Sequence, residues 1–485
     1  MIEMFNMLGS IKTLNNEVEW SKEKLREEIN KRVEILKEIG INSKFKIIIL
    51  HANSQEFFAD LLSIWGCGAC AICLNPKLTN SELKNIIEFT KSDIVLINEK
   101  HDEIEGININ FFNLAELLTS SSSIKYSNTK LSDDVFEFDN DALILFTSGT
   151  TGKPKGVVHT FRSLYSRLSL NWSNINLKDM QVTLCPLPTY FGHGLIGNCL
   201  TPLLSGNKLI LIEPNMTNLI NFGSIIDNEK VTFVSSVPSM WNVVLRMSDK
   251  PVKETLQRVH IGSAPLSREN WSLVVDWSSI ENVYNMYGIT ETANWIAGSS
   301  FSNLKDNPDG YIGKLWGGRS SVYRDGSLSN FGEGELAVQV PSQMKEYLSN
   351  KSETDNALKM SWFFTGDLAK ISDNEITLIG RKKFEINKAG MKISPEELDM
   401  LIDSHPNIQE SCAFSIADEM YGEIIGVSVI FNDKEANVDK VKTWLKEKII
   451  SEKIPDRWWI VDSIPKNDRG KIDRLLISRL WKESH

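Results

Sequence analysis

At 485 residues the chain exceeds what one hydrophobic core ordinarily organises, so two or more domains are expected. Its 41% hydrophobic and 24% charged residues describe a globular chain rather than a disordered or fibrous one, and a formal net charge of −10 argues against general binding to nucleic acid or anionic membrane. No run of eighteen apolar residues occurs, and the opening MIEMFNMLGSIKT lacks the basic-then-apolar order of a secretory signal, so a cytoplasmic location is expected.

Short β-branched runs at 45–50, 93–97, 143–146, 208–212, 231–235 and 259–262 alternate with amphipathic segments, which predicts α/β architecture with buried strands. A helix is expected over 56–65. In the IWGCGACAIC that overlaps its end, Cys67, Cys70 and Cys73 form CxxCxxC. With no fourth cysteine nearby to complete an iron–sulfur set, they read as small buried packing residues, and six cysteines in so long a chain suit a reducing compartment. The seven histidines show no HxxxH spacing, which argues against structural zinc. Thr79 and Glu82 make a capping box for a helix running towards Phe89, and the serine run at 120–123 reads as a surface loop.

Directly behind the apolar stretch 143–146 stands TSGTTGKPKG. Glycines at 149, 152 and 156 let main-chain N–H groups converge on an anion, Thr147, Ser148, Thr150 and Thr151 add hydroxyl donors, and Lys153 and Lys155 add charge, which together make a phosphate-handling loop. The Walker A pattern cannot be laid over it. Further along come YGITE (287–291), TGD (365–367), GRKKFEINKAGMKISPEELD (380–399) and PKNDRGKIDR (465–474). A domain boundary is expected near Lys382 and Lys383. Beyond it Ser394, Pro395 and Glu397 start a helix by capping box and first-turn proline, and segments 408–417, 423–431 and 438–450 read as strand, strand and helix of a compact α+β domain.

These five motifs, in this order and spacing, make the chain resemble the AMP-forming adenylating enzymes over nearly its whole length: acyl-CoA synthetases, adenylation domains of peptide synthetases and beetle luciferases. The resemblance implies an α/β fold with a large multi-sheet N-terminal adenylating domain (1–381) and a small mobile α+β C-terminal lid domain (382–485) that turns about Lys383, for which a salt-bridged surface lysine is the lesser alternative. It implies ATP, Mg2+ and CoA, or the phosphopantetheine of a carrier protein, as reaction partners of a small carboxylic acid. The loop Thr147, Ser148, Gly149, Thr150, Thr151, Gly152, Lys153 and Lys155 would take the β- and γ-phosphates, Thr290 the α-phosphate and Glu291 the magnesium. Asp367 and Arg381 would hold the ribose, and Gly262, Ser263, Ala264, Pro265, Tyr287 and Gly288 the adenine, although Tyr287 also suits a structural place at a strand end.

By the same resemblance Lys471 is the lysine that the closed lid brings to the reacting carboxylate, and Gly390 lines the thiol's route after the lid turns. Asn387 departs from the lysine many relatives carry there, which removes one charge from the acceptor face. Phe191, His193, Val237, Asn285 and Trp295 are expected at the acyl pocket, with His193 a wall rather than a general base. Trp295 either fills the pocket's depth, implying a short or compact acid, or turns into the core. The resulting reading is an acid:CoA ligase working through an acyl-AMP. Its rivals are a stand-alone enzyme that loads a carrier protein, and a catalytically degenerate nucleotide-binding regulatory protein, against which the presence of Lys471, Glu291, Asp367 and Arg381 together argues.

Overall fold

The computed structural model describes residues 7–14, 18–99, 109–120, 137–147, 155–304, 308–388, 391–418, 422–432, 437–449, 451–467 and 470–485. Two sheets of mostly parallel strands form the bulk of it. The first runs, in spatial order, Asn294–Ser300, Val283–Ile289, Arg258–Gly262, Phe233–Ser236, Val182–Cys185, Lys208–Leu211, Ile11–Thr13 and Val18–Trp20, antiparallel only at its two edges. The second runs Glu346–Tyr347, Lys155–Thr160, Asp141–Thr147, Cys70–Cys73, Lys46–Ile49, Ile94–Leu96 and Asn110–Phe112. Most central strands are buried and largely apolar, as KIII at Lys46–Ile49 and CAIC at Cys70–Cys73 show, because helices cover both of their faces. The helix Gln55–Gly66, buried almost all round, shares one core with strands of both sheets. Ser54 Oγ accepts from Phe57 N at its start, and the Thr79–Glu82 capping box starts Asn80–Thr90.

The expected strands up to Gly262 all form within a few residues of their predicted limits. Cys70 and Cys73 lie on the buried strand Cys70–Cys73 and Cys67 just before it, and burial pushes all three thiols up, Cys67 to about 12. Of the serine run, 121–123 lie outside the described residues.

Residues 311–381 add an element that the sequence reading did not foresee. Tyr311–Gly313, Glu375–Arg381, Trp362–Ser372, Gly332–Gln339, Arg319–Arg324 and Ser327–Ser329 make a meandering antiparallel sheet, with Leu358–Lys359 on its flank. Its last strand ends at Arg381. A single turn, Lys382–Phe384, follows, and Ile386–Lys388 opens a fourth sheet with Met391–Ile393, Gly422–Phe431, Ile408–Asp418 and Arg457–Ile460. Two details differ from expectation here. Ser394 Oγ accepts from Glu397 N but makes its second contact with Glu396 instead of completing a capping box, and the helix expected over 438–450 stops at Lys446. Among the described residues no helix is long and apolar enough to cross a membrane.

Candidate active site

The YGITE motif is a hairpin. Strand Val283–Ile289 runs into one tight turn, Thr290–Thr292, and returns as Asn294–Ser300, with Ala293 and Asn294 in the left-handed region. Glycine at 288 is required by the return strand, since a Cβ there would stand 2.1 Å from the carbonyl oxygen of Asn294. Every carbonyl of the turn is pinned from outside. His159 Nε2 donates to Thr290 O at 2.7 Å, Met344 N to Glu291 O at 2.7 Å and Ser342 Oγ to Thr292 O at 2.9 Å, while the buried Arg167 guanidinium reaches Trp295 O. Because a carbonyl only accepts, His159 carries its proton on Nε2 and its Nδ1 faces Ser163 Oγ. None of these supports was found from sequence, because each acts through backbone atoms that no motif records.

On this hairpin Glu291 presents a half-buried carboxylate, and its Oε1 accepts from Tyr347 Oη at 2.8 Å. That is the one side-chain hydrogen bond it receives among the described residues, so hard oxygen remains to hold Mg2+. Of the phosphate loop, 148–154 lie outside the described residues. Its ends are Thr147, closing strand Asp141–Thr147, and Lys155, whose Nζ pairs with Glu353 at 2.6 Å.

Asp367 is 4% exposed, and its carboxylate is doubly held: Arg381 Nε donates at 2.7 Å from the facing residue of the next strand, and Tyr287 Oη donates at 2.6 Å. Burial, then the carboxylate beside it, pushes the Tyr287 phenol well up, and Asp367 raises Arg381, so Tyr287 stands as a neutral donor and Arg381 as a cation. Strand Arg258–Gly262 pairs with the strand that carries Tyr287 and so delivers Gly262 to Pro265 beside it, and Ser263 takes a left-handed φ of 70°. Ser263 Oγ lies 2.9 Å from His193 Nδ1, which ties the expected adenine loop to the expected acyl wall.

His193 opens a short π-helical segment, His193–Leu200, and its Nε2 meets Ser235 Oγ at 2.8 Å. Both ring nitrogens are therefore used, and burial, assisted by the charge of Lys471, pushes the imidazole down to about 3. Trp295, 2% exposed, packs edge-on against His193 at 5.7 Å, His260 at 4.6 Å and Phe233 at 6.4 Å between ring centres. A Cβ on Gly197 would come within 2.8 Å of the indole, so this glycine makes room for it. Thus Trp295 is both buried and directly behind His193. Phe191 stacks edge-on with Tyr190, and Val237 is the half-buried residue that precedes helix Pro238–Met247.

Asn285 was expected at the acyl pocket. Strand alternation puts it with Tyr287 on the face turned to the antiparallel sheet, where its Nδ2 donates to Tyr311 O at 3.4 Å. Met286, which the sequence reading passed over, is the residue that packs with Trp295.

The lid meets this wall. Asn467 and Lys471 close a tight hairpin through Asn467 N to Lys471 O at 2.8 Å and Lys471 N to Asn467 Oδ1 at 3.1 Å. Gly470, at φ +71°, abuts Ser239: a Cβ there would stand 2.5 Å from its hydroxyl oxygen. The hairpin is thus seated on the start of helix Pro238–Met247, with the Lys471 charge close enough to act on His193. Gly390 and the side chains of Lys383 and Asn387 lie outside the described residues.

Burial keeps three imidazoles of the large domain neutral: His193 near 3, His159 down to about 4, and His260 also pushed down. In the unfolded chain each takes a proton at about 6.5, so below that pH the unfolded state gains protons that the folded state refuses. Stability of this domain is expected to fall as pH drops from about 6.5 towards 4, by about 1.4 kcal/mol per unit for each histidine. In the lid the opposite sign holds for Asp399, raised by burial to about 6, which takes a proton in the folded state first. Denaturant melts at pH 7 and 5 check this: the large domain should lose midpoint and the lid should lose less. An unchanged large-domain midpoint would contradict neutral burial.

Residues expected at the nucleotide, the acyl group and the lid thus lie on adjoining elements. The family model for AMP-binding enzymes matches residues 10–348, and that for the AMP-binding enzyme C-terminal domain matches 397–471. The chain belongs to the AMP-binding enzyme family. Among curated proteins it is 27% identical over 474 residues to a probable CoA ligase, CCL9, of Humulus lupulus, covering 94% of this chain and 90% of the relative. It is 26% identical to the oxalate–CoA ligase of Arabidopsis thaliana, covering 93% and 91%. Among solved structures, o-succinylbenzoate CoA synthetase of Bacillus subtilis with its acyl-adenylate superposes with a TM-score of 0.84 at 22% identity, covering 97% and 95%. ATP-bound MatB of Rhodopseudomonas palustris superposes at 0.86 with 21% identity, covering 100% and 99%.

Proposed function

We propose that the protein is an ATP-dependent acid:CoA ligase that makes an acyl-AMP from a short or compact carboxylic acid and then passes the acyl group to the thiol of CoA. The observation that carries the reading is the seating of the Lys471 hairpin against the His193 wall, inside a chain whose curated relatives are CoA ligases. Residues 1–381 are the adenylating domain and 382–485 the lid, turning at Lys383. The attacking carboxylate and the α-phosphate are both anions, so the step needs fixed cations and donors. Lys471 supplies a cation from the lid, the Lys155 end of the loop serves the departing phosphates, and Thr290 donates to the α-phosphate. Asp367 and Arg381 grip the ribose hydroxyls, fixing the nucleotide relative to the pocket. Mg2+ held on Glu291 would neutralise phosphate charge when bound. His193, neutral and saturated by two serines, shapes the pocket and moves no proton.

The test is a panel of small carboxylic acids with ATP and magnesium, following pyrophosphate with and without CoA. Sustained pyrophosphate and AMP release that depends on CoA and on one acid class is the expected result. A stoichiometric burst indifferent to CoA would replace CoA by a carrier-protein thiol, and silence across the panel would overturn the catalytic reading.

A further inference from the structure

One side chain stands between the two charged groups assigned to the nucleotide. Tyr347 is 7% exposed, its hydroxyl donates to Glu291 Oε1 at 2.8 Å, and Lys155 Nζ lies over its ring, 5.2 Å from the centroid. Its backbone is bound to the elements that carry both. Strand Glu346–Tyr347 pairs with Lys155–Thr160, Leu348 N donates to Gly156 O at 2.7 Å, and Met344 N donates to Glu291 O. Tyr347 N donates to Thr354 Oγ1 at 3.0 Å, fixing the ring's approach from helix Lys351–Ala357. From that helix's first turn Glu353 pairs with Lys155 at 2.6 Å.

From this geometry we infer that Tyr347 is a positioning residue which keeps Lys155 and Glu291 from pairing with each other, and that Glu353 is the anion the phosphates of ATP must displace from Lys155. The inference rests on the assignment of Lys155 to phosphate and Glu291 to metal. Opposite charges in one half-buried site attract strongly, and a direct Lys155–Glu291 pair would occupy the donors meant for phosphate and the oxygens meant for Mg2+. A neutral tyrosine avoids this. The ring face attracts the ammonium without using a hydrogen-bond donor of it, and the hydroxyl occupies a single carboxylate oxygen. Glu353, at 39% side-chain exposure, is a counter-ion weak enough to exchange.

The experiment is calorimetric titration of ATP with and without magnesium, and binding of Mn2+ to the ATP complex read by electron paramagnetic resonance, on the full chain without acid or CoA. Tyr347→Phe keeps the spacer and loses the hydroxyl, so metal-free ATP should bind within about two-fold of the parent, while Mn2+ should weaken about ten-fold for the loss of one hydrogen bond to a charged group. Tyr347→Ala lets the two charges meet, so ATP should weaken about ten-fold or more with and without metal. Glu353→Gln should tighten metal-free ATP by about two- to five-fold, the worth of an exposed ion pair. Identical behaviour of the Phe and Ala variants, or parental ATP affinity in Glu353→Gln, overturns the inference. Glu291→Gln separates it from the reading beneath: parental Mn2+ affinity in that variant would remove the metal assignment itself.

Discussion

Replacing Lys471 by alanine is expected to slow acyl-adenylate formation by about 10²- to 10³-fold, the cost of removing one fixed group that stabilises developing charge, while conversion of supplied acyl-AMP and CoA to thioester stays within a few-fold. The asymmetry follows from where the lysine sits. It is carried by a hairpin whose closure depends on Asn467 and whose approach to the large domain depends on a glycine at 470, since any Cβ there would strike Ser239. On the proposed function, the charge would be delivered by lid position and withdrawn when the lid turns. Exchange of labelled pyrophosphate into ATP measures the first half-reaction, and thioester formed from synthetic acyl-AMP measures the second. Gly390→Trp, in the lid's other working loop, should impair the thioester step and spare adenylation. If both variants damaged the same half-reaction, the division of labour between two lid positions would be wrong.

The residues legible in sequence share a property: their chemistry fixes residue type and local spacing together. A loop proposed for phosphate needs glycine and hydroxyls in a run, and the burial of Asp367 was indicated by its aromatic surroundings. The parallel strands were legible because burial on both faces leaves short runs rich in apolar and β-branched residues. The antiparallel sheet of 311–381 was not, since strands such as Arg319–Arg324 and Gly332–Gln339 mix buried and exposed positions among glycines and serines and carry no strong period. The face that Asn285 takes was not legible for a subtler reason. Proximity to YGITE was legible, but which face of the strand it occupied was decided by register, and a one-residue shift exchanges Asn285 for Met286. His159, Ser342 and Met344 were invisible because they hold carbonyls of the YGITE turn from fifty or more positions away, contacts that only tertiary structure creates.

The second large effect concerns the acid. Trp295 comes from the return strand of the YGITE hairpin, and Gly197 on the facing π-helical segment has no side chain to oppose it, so the indole closes the space behind His193. Its Nε1 has no hydrogen-bond partner among the described side chains, so the ring is held by shape and dispersion rather than by a polar anchor. Trp295→Ala should open a cavity continuous with the pocket and cost about 3–5 kcal/mol of stability, as large aromatic truncations in cores do. The same cavity should admit acids longer by several methylenes. Each added methylene that enters it regains about 0.8 kcal/mol of burial, close to a four-fold gain in kcat/KM per carbon until the space is full. The measurement is kcat/KM along a series of straight-chain acids for both proteins, with a thermal melt to register the stability loss. In the parent the profile should fall off sharply at short length; in the variant the maximum should move to longer chains. Good turnover of long-chain acids by the parent would mean that the indole is no barrier. A variant that is less stable but keeps the parental length profile would place the limit elsewhere in the wall, with Met286 the first residue to examine, because it packs with Trp295 on the same face of the sheet.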